Sequence, residues 1–465
     1  MRSLLRVAAI AAAGAALFEA GSVNGAVELR PSPGGAIFAA VAVVVALALL
    51  AAALAGTGGD AAAPPDRSLA PAMRVIFVVV SGMALFGLAW LRGIPSPIVN
   101  DFTPYHNDAI ALNECAAQAL LRGQDPYRPL DLFACYGARR IGPDRTTPLQ
   151  AGAFSDVTVY PSLEQMDAAW SADAAACARD RSACAPTEFV SRLSYPALSV
   201  LLVLPWVALG WDTNVLYVLC LVAAVALVLV RAPAASRAFL LTGVLAAASV
   251  TAFTVGGSAD LLYALPLVAA WLWRERRWSA LALGCAAAVK QLAWPFALFY
   301  LLQVAARDGW REAARRAAIA GALFALVDAP FVAWDARAFL AGILTPLAAP
   351  MFARGTGLVT LAANGAAPFL SPSAYLALEA IALAVALAVA WRARHASPEL
   401  GAVLAMFPLY FAWRSLFSYF FLLPLFAAAG VARMPLGDLD PETARESGAF
   451  TVLALPPRAE RAAAK

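Results

Sequence analysis

One lysine of this chain lies in an apolar stretch, where a charge is costly. Lys290 stands between the runs GCAAAV and QLAWPF, and the only other lysine is the last residue of the chain. An ionisable group inside an apolar segment is by default a functional hypothesis. Lys290 is therefore predicted to bind an anion. Two alternatives remain: an ion pair with Asp260 or Asp328, or an amine extended to the membrane surface.

Charged side chains next to other apolar stretches could join Lys290. Asp101 and Asp108 begin a long polar segment, and a carboxylate at the mouth of a membrane domain can act as a general base toward a substrate that arrives from water. Arg354 and Arg414 stand at the ends of apolar stretches and could bind phosphate. The alternatives are solvent-exposed acids, interfacial arginine anchors, and capping or local pairing for Asp260.

The composition is that of a membrane protein. Of 465 residues, 62% are hydrophobic and 14% are charged, whereas soluble domains are nearer half apolar and a quarter charged. The net charge of +4 is small and the basic residues form short clusters, so no nucleic-acid partner is expected. With two histidines and no nucleotide-binding loop motif, neither a histidine-rich metal site nor a soluble nucleotide domain is predicted.

Uncharged stretches long enough to cross about 30 Å of hydrocarbon recur along the chain. The first is interpreted as an uncleaved helix rather than a signal peptide, because Glu19 follows it and no small-residue cleavage site precedes a soluble domain. The expected fold is an all-α polytopic membrane protein with about 11–13 transmembrane helices. The candidate spans lie near 5–20, 35–55, 73–91, 194–210, 214–230, 238–255, 260–273, 279–305, 315–332, 373–391, 399–413 and 416–432.

The candidate span 279–305 is predicted to be broken in its middle. Basic clusters flank it on both sides, RERRW before it and RDGWREAARR after it, and basic loops favour the cytoplasm. A segment that starts and ends on one side must turn back, and Lys290 with Gln291 lies where that turn would be. Broken helices at membrane depth are tolerated only where they line protein or a wet cavity.

The same charge rule divides the chain into four parts. These are N-terminal transmembrane helices (1–92), an extracytoplasmic loop with surface helices (93–192), a transmembrane core (193–432) and a cytoplasmic tail (433–465). The loop 230–237 looks cytoplasmic by charge but falls outside when spans are counted. Either one helix within 194–230 does not cross, or this loop breaks the rule.

The extracytoplasmic loop carries four of the six cysteines of the chain, Cys115, Cys135, Cys177 and Cys184. An even number of cysteines in one exported loop fits an oxidising compartment and two disulfides. Of the three pairings, the nearest in sequence is predicted, Cys115–Cys135 and Cys177–Cys184. The alternative is four free thiols in a cytosolic loop.

The same loop begins with a predicted helix. Apolar residues recur at helical spacing over 107–122, with Asn107 or Asp108 as the N-cap and Gly123 as the stop. A helix lying along the membrane surface here would hold Asp101, just before it, at the mouth of the membrane domain.

A series of short motifs runs through the chain in a fixed order. They are NDFTPYHNDAIAL with LLRGQDPY, SYPALSVLLVLPWVAL, GGSADLLYALPLVAAWL, GCAAAVKQLAWPF, DAPFVAWDARAFLAGILTPL and WRSLFSYFFLLPLF. Their order and spacing, over roughly residues 95–430, resemble those of the membrane-embedded GT-C glycosyltransferases. The resemblance is closest to glycosyltransferase family 87, the polyprenyl-phosphate-mannose-dependent type.

The resemblance implies a GT-C-like bundle with a long first outer loop, in a bacterial inner membrane, with its active site facing outside. It implies transfer of a monosaccharide, mannose in this family, from a polyprenyl-phosphate donor to an extracytoplasmic glycan or glycolipid, with inversion. Asp101 takes the position of the family's catalytic Asp. No cofactor beyond the lipid-linked donor is indicated; a divalent metal is not indicated either but stays an alternative. The substrate-binding candidates are Lys290, Tyr105, Arg354, Arg414, Asp260 and Asp108.

A transporter or flippase of a lipid-linked or polar substrate is the competing interpretation. Broken helices and one buried charge also describe a permeation path. Its sequence sign is a pair of discontinuous helices in two related halves, and no such repeat is present in the sequence. A scaffold protein with an exported domain is a third class, but it leaves Lys290 unexplained.

Overall fold

The computed structural model describes residues 2–29, 31–55, 108–139, 141–255 and 258–434. Within these ranges the chain is mostly helical, with a single two-stranded pairing. Asp101, Tyr105 and the candidate span 73–91 lie outside the described residues.

The elements follow one another in this order. The first pair is α1 (Arg2–Leu29) and α2 (Pro33–Leu54). Residues 108–192, here called the disulfide segment, contain α3 (Asp108–Leu121), α4 (Leu132–Gly137) and α5 (Leu163–Arg179). Then come α6 (Ala197–Ala208), α7 (Thr213–Arg231), α8 (Arg237–Ala246), α9 (Ala248–Val255), α10 (Leu261–Leu272), α11 (Ser279–Val289), α12 (Ala293–Asp308) and α13 (Trp310–Ile343). Last are α14 (Thr345–Ala348), β1 (Arg354–Gly355), α15 (Val359–Ala363), α16 (Pro372–Ala393), α17 (Gly401–Leu404), β2 (Arg414–Ser415) and α18 (Leu423–Val431).

Five helices of the described residues are long and apolar enough to cross a membrane. They are the part Leu5–Gly25 of α1, and α2, α7, α13 and α16. Helices satisfy their own backbone hydrogen bonds, which is why they suit a hydrocarbon environment. The structure therefore confirms the coarse part of the predicted fold class: the chain is mostly helical and has several helices suited to a membrane.

The predicted break at Lys290 is present. Lys290 is extended (φ −153°, ψ 141°) between α11 and α12, which are separate helices. The side-chain amide of Gln291 donates to the carbonyl oxygens of Ser194 at 2.7 Å and Ile343 at 3.1 Å. This turn is thus fastened to the chain just before α6 and to the end of α13.

The short helix α6 bears on the position of the loop 230–237. With 12 residues it is about 18 Å long at 1.5 Å per residue, well short of a hydrocarbon core of about 30 Å. Gly210, with φ 66°, then reverses the chain into α7. At the other end of α7, Arg231 lies 3.5 Å from Glu275 in the basic stretch RERRW. The loop 230–237 therefore lies at the same end of the bundle as RERRW, and the short α6 fits the first alternative, in which one helix within 194–230 does not fully cross.

Three predicted spans are not continuous α-helices. The span 399–413 consists of the short α17 and a 3₁₀ turn at Phe407–Phe411, where Pro408 removes a backbone donor. The span 416–432 likewise starts with a 3₁₀ turn before α18. The span 238–255 is divided at Ala247, against which Gly14 of α1 packs without room for a side chain. Hydrophobicity alone predicts burial here, but it does not reveal these interruptions.

Buried charges gather at the end of the bundle where RERRW lies. Glu399 accepts from Arg274 at 2.5 and 2.9 Å and from Arg433 at 3.2 Å. Arg433 also donates to Glu275 at 2.8 Å, and Glu275 pairs with Arg231. We call these five residues the arginine–glutamate cluster. It joins the ends of α7, α10 and α18, and the described side chains supply three cations for two carboxylates.

Both predicted disulfides are present. The Cα atoms of Cys115 and Cys135 are 5.9 Å apart, and those of Cys177 and Cys184 are 4.5 Å apart. The first bond joins α3 to α4, and the second closes the end of α5. Helix α3, predicted over 107–122, begins at Asp108. The Cys115–Cys135 bond therefore ties α3 covalently to α4.

Replacing both Cys115 and Cys135 by serine should destabilise the disulfide segment by about 2–4 kcal/mol, because the bond restricts the unfolded chain. The measurement is the thermal unfolding midpoint of the purified protein in detergent, followed by protease susceptibility of this segment. The matched control is Cys285→Ser, which alters a free thiol of α11. Equal midpoints for the double variant and the wild type would contradict the prediction.

Candidate functional site

The structure pairs Lys290 with a buried acid. The Lys290 ammonium group forms a hydrogen-bonded ion pair with Oδ1 of Asp260, and both side chains are almost fully buried. The other oxygen of Asp260 accepts a hydrogen bond from the Ser258 hydroxyl at 3.2 Å. The predicted alternative of an ion pair with Asp260 is therefore present.

Tyrosines surround this ion pair. Lys290 Nζ lies 4.8 Å from the centre of the Tyr195 ring, a cation–π contact. Tyr195 is also within electrostatic range of Asp260 and Asp108, and Tyr419 is within range of Lys290 and Arg414. Tyr195 thus connects the Lys290 turn with the start of α3.

Two arginines that are far apart in sequence lie side by side. The strands β1 and β2 run parallel, with Arg354 paired to Arg414 and Gly355 to Ser415. Like charges at directly paired positions repel each other. A pair of arginines held this way is an arrangement that an anion would stabilise.

The close pairing of these strands requires glycine. Gly355 has φ 143°, and a Cβ atom there would lie 2.1 Å from the carbonyl oxygen of Ser415. Gly357 is equally confined, with the Ser415 hydroxyl and the Tyr410 carbonyl oxygen each 2.2 Å from the position of its missing Cβ. The glycines of ARGTG are therefore what allow Arg354 to approach Arg414.

The two arginines differ in their partners. Arg354 donates to the hydroxyl of Tyr160, and its guanidinium group lies 4.3 Å from the centre of that ring. Nη1 of Arg414 is buried and has no hydrogen-bond partner among the described residues. A buried, unsatisfied guanidinium donor is costly unless a ligand satisfies it. Arg414 thus offers a free donor beside Arg354.

Asp108 faces the two arginines from the start of α3. Its carboxylate interacts electrostatically with Arg414 and Arg354 and is hydrogen-bonded by the Thr147 side chain. Burial raises the pKa of the Asp108 carboxyl above its usual range, and these contacts offset only part of the rise. A half-buried carboxyl group of this kind is suited to proton transfer or to orienting a hydroxyl.

Most of the predicted site residues therefore meet in one place. We call them the charged cluster: Lys290, Asp260, Asp108, Arg354 and Arg414. Tyr195 is within electrostatic range of the first three, and Asp108 is within range of both arginines. Asp101 and Tyr105 lie outside the described residues.

Asp328, considered as a partner of Lys290, has a different contact. Its Oδ1 accepts from the backbone N–H of Ala197 at 2.7 Å and so caps the start of α6. This is a structural role.

Tyr127, in the motif GQDPY, is also fully buried, and its hydroxyl donates to the Tyr195 carbonyl oxygen at 2.9 Å. Tyr127 therefore holds the backbone of Tyr195 in place and does not face a ligand.

Sequence reasoning missed several supporting residues. Tyr160 and Thr147 contact Arg354 and Asp108, and both come from irregular parts of the disulfide segment. No periodicity or motif singles them out. One sequence feature does mark Tyr195, because it directly precedes Pro196 at the start of an apolar stretch. Its contact with Lys290, however, depends on the tertiary fold.

The charged cluster combines three cations with two carboxylates beside apolar helices. Such a site can hold a doubly charged anion and, next to it, a polar group that gives up a proton. Compared with known protein families, with characterised proteins and with solved structures, the chain matches none of them. Its function therefore has to be inferred from these side chains.

Proposed function

We propose that this chain is an integral-membrane glycosyltransferase that moves a monosaccharide, mannose in the first instance, from a polyprenyl-phosphate donor to a glycan or glycolipid. The proposal includes a GT-C-like bundle of about 11–13 transmembrane helices, in a bacterial inner membrane, with its active site facing outside. The observation that carries it is the charged cluster, above all the paired Arg354 and Arg414; Arg414 and Lys290 are both within electrostatic range of Tyr419.

The charges suit a lipid-linked phosphate. A polyprenyl-phosphate sugar keeps its hydrocarbon in the membrane and its phosphate at the interface, so its binding site must offer cations beside apolar helices. Arginine binds phosphate through two parallel hydrogen bonds, and lysine binds it as a point charge. The unsatisfied Nη1 of Arg414 supports this assignment, because it is a donor without a protein acceptor among the described side chains.

The proposed reaction is a single displacement. A carboxylate removes the proton of the acceptor hydroxyl, and the oxygen attacks the anomeric carbon of the sugar. The bond from that carbon to the phosphate oxygen breaks, and polyprenyl phosphate leaves with the bonding electrons. Lys290, Arg354 and Arg414 stabilise the negative charge that develops on the phosphate. The anomeric configuration is inverted.

The two acids at the start of the extracytoplasmic loop have separate proposed roles. Asp101 is the general base, as the family resemblance implies. Asp108, whose carboxylate faces Arg354 and Arg414, keeps these arginines oriented and helps to bind the substrates. Asp260 orients Lys290 through their ion pair.

The test is transfer of radiolabelled mannose from polyprenyl-phosphate mannose to endogenous membrane acceptors, at matched levels of folded protein. Asp101→Asn should lower the rate by about 100- to 10,000-fold, the range for loss of a general base. Asp108→Asn should cause a smaller loss. Asp156→Asn, an exposed acid of the disulfide segment, is the matched control and should leave the rate unchanged.

Two results would change the proposal. If Asp108→Asn abolishes transfer and Asp101→Asn does not, Asp108 is the base. If the wild type transfers neither mannose nor any other sugar from a lipid-phosphate donor, the chain is not this kind of transferase.

A further inference from the structure

A polar cavity lies at the far end of α3 from the charged cluster. It has a volume of about 670 Å³ and is lined by residues of the disulfide segment and by Trp334 of α13. This volume is within the range of small-molecule sites. The lining residues at this end of α3 run from Cys115 to Arg122, about 10 to 21 Å along the helix from Asp108 at 1.5 Å per residue. The cavity is therefore separate from the charged cluster, although both lie along one helix.

The acids of the cavity are already used by the backbone. Asp125 accepts a hydrogen bond from the N–H of Tyr127 at 2.9 Å, and Asp131 caps α4 by accepting from Ala134 at 2.9 Å. Their remaining contacts with arginines are long, at 3.9 Å for Arg128 and 3.6 Å for Arg181. The carboxylates are thus fixed in the wall and neutralise the arginines only in part.

Two arginines of the cavity, Arg122 and Arg181, are open to a ligand. The Arg181 side chain is 91% exposed. Arg122 donates to the carbonyl oxygen of Gln118 at 3.2 Å and forms no ion pair with an acid of the described chain. Arg128, the third lining arginine, is paired with Asp335 at 3.1 Å, so Arg122 and Arg181 are the cations that face a ligand. The cavity therefore favours an anionic ligand that can accept hydrogen bonds.

An exposed tryptophan adds an apolar ring to these charges. Trp334 is 47% exposed and lines the cavity immediately before the kink of α13 at Asp335. Asp335 holds this kink against the disulfide segment through Arg128, 3.1 Å away. An indole face beside arginines and amide side chains matches a sugar ring that carries a carboxylate or phosphate.

We propose that this cavity binds an acidic saccharide, namely the part of the acceptor that is remote from the reacting hydroxyl. Its role as an acceptor site rests on the proposed glycosyltransferase function. Binding of the saccharide does not rest on that function, because the cavity shares no side chain with the charged cluster. An anionic lipid headgroup has similar chemistry and is the other source of such a ligand.

The test is binding of fluorescently labelled trigalacturonate to the full-length protein in nanodiscs of neutral lipid, without a donor. The double variant Arg122→Ala/Arg181→Ala should weaken binding by about 10-fold or more, since hydrogen bonds to charged groups contribute about 1.5–3 kcal/mol. Trp334→Ala should also weaken it. Arg179→Ala and Trp211→Ala, which alter exposed residues outside the cavity, are the matched controls.

The outcomes separate this proposal from the previous one. Selective binding of trigalacturonate over neutral maltotriose, lost in the double variant but retained in Lys290→Ala, supports an acidic saccharide site even if no transfer is detected. Equal binding of both saccharides, or unchanged binding in the double variant, overturns it. Complete competition by phosphatidylglycerol, added to the nanodiscs in place of neutral lipid, assigns the cavity to a lipid headgroup and overturns the acceptor role.

Discussion

Replacing Lys290 by alanine should lower the rate of sugar transfer on the order of 100- to 1000-fold, the loss expected when one preorganised charge-stabilising donor is removed. The reason is that, in the proposed reaction, the buried ammonium group stabilises the negative charge on the leaving phosphate. Lys290→Arg keeps the charge but changes the geometry, so it should retain more activity than Lys290→Ala. The measurement is the initial rate of transfer at saturating donor.

A purely structural role of Lys290 makes a different prediction. Removing Lys290 alone leaves the buried Asp260 carboxylate without its partner, which destabilises a protein. The double variant Lys290→Met/Asp260→Asn removes both charges and should recover much of the lost stability. If Lys290 also stabilises the leaving group, the double variant remains inactive although it folds. Recovery of transfer together with stability would show that Lys290 serves only its partner.

Replacing Glu399 by alanine should destabilise the protein by about 3–5 kcal/mol, because it leaves Arg274 and Arg433 with too little compensating charge in a buried place. Glu399 also accepts from the indole N–H of Trp271 at 2.8 Å, so it joins three side chains at once. Thermal unfolding followed by tryptophan fluorescence measures the loss.

The control for this variant is Glu164→Gln, an exposed acid of α5, which should change stability by less than about 0.5 kcal/mol. A smaller loss for Glu399→Gln than for Glu399→Ala is also expected, since the amide oxygen still accepts a hydrogen bond from either arginine. An unfolding midpoint of Glu399→Ala equal to that of the wild type would contradict the view that this cluster holds the helix ends together.

The sequence allowed single residues of the site to be predicted. It did not allow the prediction that these residues lie close together in the fold. Lys290 stands out because almost no other lysine occurs, and its flanking basic clusters predict the break between α11 and α12. Arg354 and Arg414 could be selected as arginines at the ends of apolar stretches. Their pairing depends on two-residue strands and on the tight contact at Gly355, neither of which has a hydrophobic pattern.

The lengths of the helices were the other feature that the sequence did not predict. Hydropathy predicts 194–210 as a span, but α6 is only 12 residues long and is capped by the buried Asp328. Only the charge conflict at 230–237 gave a sign of this. The partner of Lys290 was predictable as one of two acids; the structure pairs it with Asp260, while Asp328 accepts from the backbone N–H of Ala197.

The bond between Cys115 and Cys135 has a consequence for how the protein matures. It fixes α3, and with it Asp108, to α4. Disulfide bonds form in oxidising compartments, whereas cysteines in the cytosol stay reduced. A chain inserted in the reverse orientation would keep both thiols free, and Asp108 would lose its covalent brace. If this segment lies outside the cytoplasm as proposed, formation of the disulfide would report that the chain was inserted in the correct orientation.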